Sequence, residues 1–388
     1  MMQNNTAILI KNATVYLEDN KLSQGNIYLE NGKIKSIGKG EIPFDKASHV
    51  IDATGLNAIP GFIDGHIHGA NGADTMDATA EALEKIASTL PMEGTTSFLA
   101  TTITQSPANI TRALENAACY QNKPGHAEMV GIHLEGPFVE KTKAGAQPKH
   151  YIIQPDLERF LEWQKQANGK IKTITMAPEH DEDGRFIRSL AKSGVNVSAG
   201  HTNAGFAGIK KAVSQGVSQL THLCNAMNGI HHRDIGAVGA AFQLESLRAE
   251  LIADGIHVSP EMLQLIYNNI GSERIILITD AMRAKGLPDG KYELGGQPVK
   301  VENGMAVLAD GTLAGSILKM DEAAKQMLKL EGVTLQSIVE MASVNPAKQI
   351  GIYNEKGSIS PGKDADILLV DDALNIRYTI CRGHISFQ

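Results

Sequence analysis

Residues able to bind a metal stand in this chain where apolar runs stop. The stretch Ile59-Pro-Gly-Phe-Ile-Asp-Gly-His-Ile-His-Gly69 carries His66 and His68 at the end of such a run. Alternate residues of a strand share a face, so His-x-His presents two imidazoles side by side. Imidazole is the commonest protein metal ligand, and a divalent ion can generate hydroxide from water near neutral pH. Alone, the pair reads better as two surface or turn histidines, because a short motif needs its context. The wider set reads differently. Glu135 ends a third apolar run, His201 a fifth, His222 a sixth, His257 a seventh and Asp280 an eighth. Charged side chains are seldom buried unless paired or bound to metal. The ligand types suit zinc, iron, cobalt or manganese and fit a hydrolytic centre of two ions. His66 and His68 would hold one ion and His201 and His222 the other, with Glu135 bridging. Asp280 is then free to take a proton from water and pass it to a leaving group.

Something must carry these residues to one place. Eight apolar runs, at 59–66, 96–103, 129–135, 171–177, 195–200, 218–223, 248–254 and 274–280, alternate with segments of helical period such as 80–87, 110–117, 185–190 and 261–267. This pattern predicts a (β/α)8 barrel over residues 59–350, whose active site lies at the C-terminal ends of the strands. The chain ends read differently. Short β-prone runs occupy 7–10, 14–17, 26–29 and 33–37, with Asn31-Gly32 as a hairpin turn, and others occupy 365–370, 376–380 and 385–387. Neither end has strands enough for its own core. Residues 1–58 and 351–388 are therefore expected to share one small β-sandwich into which the barrel is inserted. Helices at 323–330 and 335–342 lead back to it, and the Gly-rich segment 286–310 reads as a hairpin insertion beside the barrel mouth.

The 388 residues, 42% hydrophobic, are ample for a large core, and the net charge of −7 offers no basic footprint for nucleic acid. An anionic substrate needs only a local cationic pocket. Cys119, Cys224 and Cys381 form no disulfide framework and fit a reducing cytosol, with Cys224 read as a small packing residue. The N-terminus lacks a basic region followed by an apolar one, and no apolar run approaches membrane-spanning length. The expectation is a cytoplasmic protein without membrane contact.

Seven stretches together carry a resemblance: Pro60-Gly-Phe-Ile-Asp-Gly-His-Ile-His68, His133-Leu-Glu-Gly-Pro137, Ala199-Gly-His-Thr202, Thr221-His-Leu-Cys-Asn-Ala-Met227, Ala253-Asp-Gly-Ile-His257, Thr279-Asp-Ala-Met282 and Leu313-Ala-Gly-Ser316. In them the chain resembles the amidohydrolase superfamily, and within it the branch that deacetylates acetamido sugar phosphates. The resemblance implies hydrolysis of N-acetylglucosamine 6-phosphate to glucosamine 6-phosphate and acetate, in amino-sugar breakdown and cell-wall sugar recycling. It implies Glu135, His201 and His222 as main metal ligands, His66 and His68 as the second pair, and one or two divalent ions per subunit. Asp280 matches the catalytic acid/base, and His257 the group that polarises the acetamide carbonyl. Ala146, Gln147, Asn225, Ala226, Leu313, Ala314 and Gly315 match substrate contacts, although the segment 140–148 departs from the family pattern. Arg233, preceded by His231 and His232, matches an arginine that reaches the substrate phosphate from the neighbouring subunit of a homodimer.

Three other readings compete. A deacetylase of a related acetamido sugar phosphate shares every motif. Amidohydrolases of cyclic amides bridge their metals with a lysine at the end of strand four, but here that run ends in Met176, and Lys172 lies at its start. A non-catalytic scaffold should have lost a ligand or the acid/base, and none is missing.

Overall fold

The structure is a computed structural model and describes residues 7–18, 20–40 and 47–388. Residues 1–6, on which part of the N-terminal reading rests, lie outside the described residues. Eight barrel strands run in parallel among them: β1 (Phe62–Ile67), β2 (Thr95–Thr102), β3 (Glu128–Glu135), β4 (Ile171–Met176), β5 (Asn196–Ala199), β6 (Val217–Leu220), β7 (Arg248–Ile252) and β8 (Ile275–Ile278). They pair in chain order. Their residues are almost all buried, as expected for strands with packed side chains inside and helices outside.

The ring closes between β8 and β1 through few bonds. The Asp280 amide donates to the His66 carbonyl at 2.8 Å, and Ile67 bridges Ala281. The buried Asp64 carboxylate spans the same seam. It accepts from the Thr279 hydroxyl at 2.6 Å, from the Thr279 amide at 3.3 Å and from the His66 amide at 3.2 Å.

The outer helices begin where the sequence supplies caps. Thr79, Ser106, Asp156 and Ser259 each accept an amide of the first turn, starting α1 (Ala80–Thr89), α2 (Pro107–Cys119), α3 (Leu157–Gln166) and α7 (Pro260–Ile270). Pro107 and Pro260 occupy first helical positions, where a missing N–H removes nothing. Between α3 and α7 lie α4 (Arg185–Lys192), α5 (Phe206–Gln215) and α6 (Gly236–Gln243), and α8 (Met320–Leu328) follows the barrel.

The chain ends build a second sheet from Ala7–Tyr16, Lys21–Glu30, Lys33–Lys39, His49–Asp52, Asn57–Pro60, Ile367–Val370, Ile376–Cys381 and His384–Phe387. The layers of the expected sandwich are one continuous sheet curled on itself. Ile8 and Ile10, Ile27 and Leu29, Ile367 and Leu369, and Ile380 all meet in one core. The alternate residues Leu368 and Val370 face the barrel core instead, so this strand binds both units.

Several expected elements are corrected. The first apolar run is two strands. Asn57–Pro60 pairs with Ala7–Tyr16 and Ile367–Val370, and only Phe62–Ile67 enters the barrel. The break falls at Gly61, where an added Cβ would stand 2.2 Å from the Thr96 hydroxyl. The runs 7–10 and 14–17 are a single strand with a bulge between Ile10 and Ala13, where Asn12 has φ 65°. The insertion at 286–310 is a three-stranded meander, Gly290–Leu294, Gln297–Glu302 and Met305–Val307, because Gly295-Gly296 and Asn303-Gly304 both turn with positive φ. The helix from Leu335 continues beyond 342, through a π-helical stretch, Glu340–Val344, to Gln349. Among the described residues no helix is long and apolar enough to cross a membrane.

Candidate metal centre

Every strand-end residue singled out by sequence reaches the C-terminal mouth of the barrel. Glu135 is the last residue of β3, and His68 follows β1 directly. His201, His222 and Asp280 each lie two residues past β5, β6 and β8, with φ of 46°, 31° and 49°. Left-handed backbone is uncommon outside glycine, though His and Asp adopt it more readily than most, and it clusters where structure over-determines it. Here it turns each side chain off its strand and in toward Glu135.

Four imidazoles converge on that carboxylate. Glu135 Oε1 lies 3.2 Å from His201 Nε2, 3.3 Å from His222 Nε2 and 3.5 Å from His66 Nε2. Oε2 lies 3.4 Å from His68 Nε2 and accepts from the Gln147 amide at 2.7 Å. Asp280 Oδ1 stands 3.3 Å from His66 Nε2 and 3.2 Å from His68 Nε2. Three rings are fixed from behind. Their Nδ1 atoms pair with Glu250 Oε2 (His66, 3.0 Å), the Lys143 carbonyl (His201, 2.8 Å) and the Asn225 carbonyl (His222, 3.2 Å). A carbonyl oxygen can only accept, so Nδ1 of His201 and of His222 carries the proton and Nε2 points inward.

This donor set fits divalent ions. Among the described residues His66 Nε2 is buried without a hydrogen-bond partner. His201 Nε2 and His222 Nε2 approach to 3.1 Å, a distance at which two bare lone pairs repel. Three groups have ligand atoms within 4.8 Å of one another: His66, His68 and Asp280; Glu135, His201 and His222; and His66, His133 and Glu250. Imidazole with carboxylate is the donor chemistry of zinc, iron, cobalt and manganese sites. His133 also lies near His66, but Thr175 (2.7 Å) and the Gly65 carbonyl (3.2 Å) engage both its nitrogens. Burial, aided by His66, holds His133 well below the usual imidazole range, so it is a neutral buttress.

Without a metal the charges balance one another. Burial works against a charge on His66 and His68, yet the surrounding carboxylates prevail. His66 is held well above its ordinary range by Asp280, Glu250 and Glu135, and His68 rises to about 10 through Asp280 and Glu135. Burial raises Asp280 and Glu135 in turn, but the histidines outweigh it, drawing Asp280 to about 2 and Glu135 well below the carboxylate range. A histidine with a raised folded pKa adds stability that is full below its unfolded value of about 6.5 and is lost as pH climbs through the folded one. Protein stripped of divalent ions is therefore expected to lose thermal stability between about pH 6.5 and 10. Ion binding must displace the same protons, so it strengthens over that interval. Melting temperature with and without chelator across this range tests both. A difference that narrows as pH rises would contradict the assignment.

A cavity of about 310 Å³ opens beside these groups. Among the predicted residues, His68, Glu135, Ala146, Gln147, His201, His222, Asn225, Ala226, His257, Asp280, Leu313 and Gly315 line it. His66 lies buried behind the wall, and Ala314 is buried, its amide bonded to the Ala306 carbonyl of the meander. Arg233 is not brought to this cavity. It is exposed on the loop after β6, with Nη1 2.8 Å from His232 Nε2. The departing segment 140–148 supplies cavity wall through Thr142, Lys143 and Gly145 as well as Ala146 and Gln147. Cys224 is half-buried and its thiol is pushed up to about 12 by burial, consistent with packing.

Sequence reasoning missed several supporting residues. Asp254 Oδ2 meets His257 Nδ1 at 2.6 Å, and its other oxygen accepts the amides of Ile256 and His257. Glu250 meets His66, as above. A carboxylate inside the apolar run of β7 was the available signal for Glu250, since such a group must find partners. Thr142, Lys143 and Thr312 gave no signal.

Residues 57–386 match the Amidohydrolase family. The chain is 47% identical over 386 residues to N-acetylglucosamine-6-phosphate deacetylase of Bacillus subtilis (strain 168), covering 98% of this chain and 97% of that protein. It is 36% identical over 329 residues to N-acetylgalactosamine-6-phosphate deacetylase of Escherichia coli O157:H7, covering 84% and 87%. Among solved structures, N-acetylglucosamine-6-phosphate deacetylase from Thermotoga maritima superposes with a TM-score of 0.88 at 34% identity, covering 98% of this chain and 99% of that one. A likeness that extends from one chain end to the other, through barrel and supporting sheet alike, is one of descent as well as of fold: the chain belongs to the amidohydrolase family.

Proposed function

We propose that this protein removes the acetyl group from N-acetyl-D-glucosamine 6-phosphate, giving D-glucosamine 6-phosphate and acetate. The observation that carries this is the convergence of four imidazole Nε2 atoms on Glu135, with Asp280 beside them, at the wall of a sugar-sized cavity. Glu135, His201, His222, His66 and His68 hold one or two divalent ions, which are zinc, iron, cobalt or manganese. A divalent ion bound there would lower the pKa of a water and polarise the acyl oxygen. Asp280, ionised at neutral pH, accepts a proton from the attacking water and returns it to the departing amine. His257 lines the cavity with Nδ1 paired to the Asp254 carboxylate, and as the imidazolium it would donate from its other nitrogen to the carbonyl oxygen as charge develops there. Ala146, Gln147, Asn225, Ala226, Leu313, Ala314 and Gly315 form the sugar-binding wall and its loop.

The catalytic unit is residues 61–350, two residues shorter at its start than the sequence reading of 59–350, and it is carried on the unit formed by the chain ends. The protein works in the cytoplasm, in amino-sugar catabolism and cell-wall sugar recycling. Arg233 serves the neighbouring subunit of a homodimer, where its planar guanidinium pairs with the substrate phosphate. A charged hydrogen bond contributes about 1.5–3 kcal/mol, so Arg233→Ala is expected to raise KM for the phosphorylated sugar about 10- to 100-fold with little change in kcat. An unchanged KM would refute the phosphate role.

The experiment is acetate release from N-acetylglucosamine 6-phosphate, beside its unphosphorylated form and N-acetylgalactosamine 6-phosphate, before and after chelation. Chelator-sensitive preference for the first supports the proposal. The likeness to the Escherichia coli O157:H7 enzyme favours the galactosamine compound as the second reading, and preference for it would select that reading. Activity on none of the three sugars, but on other amides, would discard the substrate.

A further inference from the structure

Behind His66 lies a row of polar side chains that the reaction does not use, buried at Glu250, Gln219 and Asn196 and half-buried at Gln349 and Arg248. Glu250, in β7, is almost wholly inaccessible and accepts three donors. Oε2 takes His66 Nδ1 at 3.0 Å and the His222 amide at 3.3 Å, and Oε1 takes Gln219 Nε2 at 2.6 Å. Gln219 Oε1 accepts from Asn196 Nδ2 at 3.0 Å. Asn196 Oδ1 accepts from Gln349 Nε2 at 2.7 Å. Gln349 Oε1 accepts from Arg248 Nη1 at 2.8 Å. Arg248 opens β7 and Asn196 opens β5, so the row runs from the N-terminal end of the barrel to its mouth.

Its direction is fixed at both ends. A guanidinium can only donate and a carboxylate can only accept. The three amides between them must therefore align head to tail, oxygen toward Arg248 and nitrogen toward Glu250. Reversing any one would oppose donor to donor and acceptor to acceptor in a buried space. The aligned row keeps Glu250 an acceptor, and an acceptor at that position keeps the proton of His66 on Nδ1. His66 Nε2, buried and without a hydrogen-bond partner, is then the nitrogen that faces Asp280 and Glu135 and would give its lone pair to a cation.

We propose that Glu250 is a positioning residue for the cation held by His66 and His68, oriented by the amide row anchored at Arg248. The proposal rests on the two-ion reading of the centre. Glu250 acts through His66 and touches no substrate. Removing such a partner typically weakens metal affinity about 10- to 100-fold.

The test is calorimetric titration of Zn²⁺ into chelator-stripped, full-length protein, with elemental analysis of zinc per chain after gel filtration. Wild type is expected to take two ions per chain. Glu250→Gln puts an amide nitrogen against one of the converging donors. It is expected to hold one ion with wild-type affinity and the second about 10- to 100-fold more weakly. Gln219→Met leaves the bond between Glu250 and His66 in place but removes its orienting donor. It is expected to weaken the same ion by a smaller factor, and it carries the test if Glu250→Gln does not fold. Two ions with wild-type affinity in Glu250→Gln would overturn the proposal. So would equal weakening of both ions in folded protein, unchanged affinity in Gln219→Met when that variant carries the test, or one ion per chain in wild type. Acetate release by wild type is read separately. Its absence would sink the substrate reading, whereas zinc affinities insensitive to these substitutions would sink only the role of Glu250.

Discussion

Asp280→Asn is expected to retain its metal ions and lose about 10²- to 10⁴-fold in turnover, the range typical of a positioned general acid–base. The substitution preserves shape and one oxygen, so Asn can still face His66 and His68, where Asp280 Oδ1 stands at 3.3 and 3.2 Å. What disappears is the ability to accept a proton. In the ion-free protein the neighbouring histidines hold Asp280 at about 2 against the effect of burial, and a bound cation in place of their protons would favour the same ionised form. Acetate release and elemental analysis on the same sample decide the matter. Retained ions with near-normal turnover would remove Asp280 from the mechanism. Lost ions would instead make it chiefly a ligand.

His257→Gln is expected to lower kcat about 10²- to 10³-fold, the effect of removing one donor aimed at a developing oxyanion, with KM less affected. The rate is the sensitive quantity because the bond strengthens as charge builds on the carbonyl oxygen. Asp254 fixes the imidazole through Nδ1 at 2.6 Å and through the amide of His257 itself. A glutamine has no equivalent second nitrogen to be held in this way. Steady-state kinetics on the phosphorylated sugar test the claim. A change confined to KM would reassign His257 to substrate binding.

Much of this site could be read from sequence because barrel geometry turns a one-dimensional pattern into a place. A polar residue that ends an apolar run becomes a residue at the mouth, so Glu135, His201, His222 and Asp280 announced themselves. Local turn chemistry was equally plain: Asn31-Gly32 adopts φ of 53° and 75° in the tight hairpin that the dipeptide demands. What stayed hidden depended on neighbours distant in sequence. Asn196, Gln219 and Gln349 look like ordinary amides until three elements bring them into line. The first apolar run looked like one strand because Ile59 and Phe62 are both buried, although in different pairings on either side of Gly61. His49–Asp52 was missed because one turn of pairing against Ala7–Tyr16, not its own pattern, makes it a strand. Arg233 was legible only through the family resemblance, because in the structure its guanidinium meets the neighbouring His232 on an exposed loop.

The strand Asn57–Pro60 has a consequence for how the enzyme is made. It leads directly to His66 and His68, and it lies between Ala7–Tyr16, which precedes it in the chain, and Ile367–Val370, which follows it only after the whole barrel. At about 5–20 residues per second, translation from Pro60 to Ile367 takes roughly 15 to 60 s. For most of that time Asn57–Pro60 has an open edge, the kind of edge that recruits wrong partners. The nascent chain must therefore keep this segment from neighbouring chains on the same messenger until Ile367–Val370 arrives. Termination between Leu328 and Ile367 would release a barrel whose earliest metal-ligand pair hangs from an unfinished sheet.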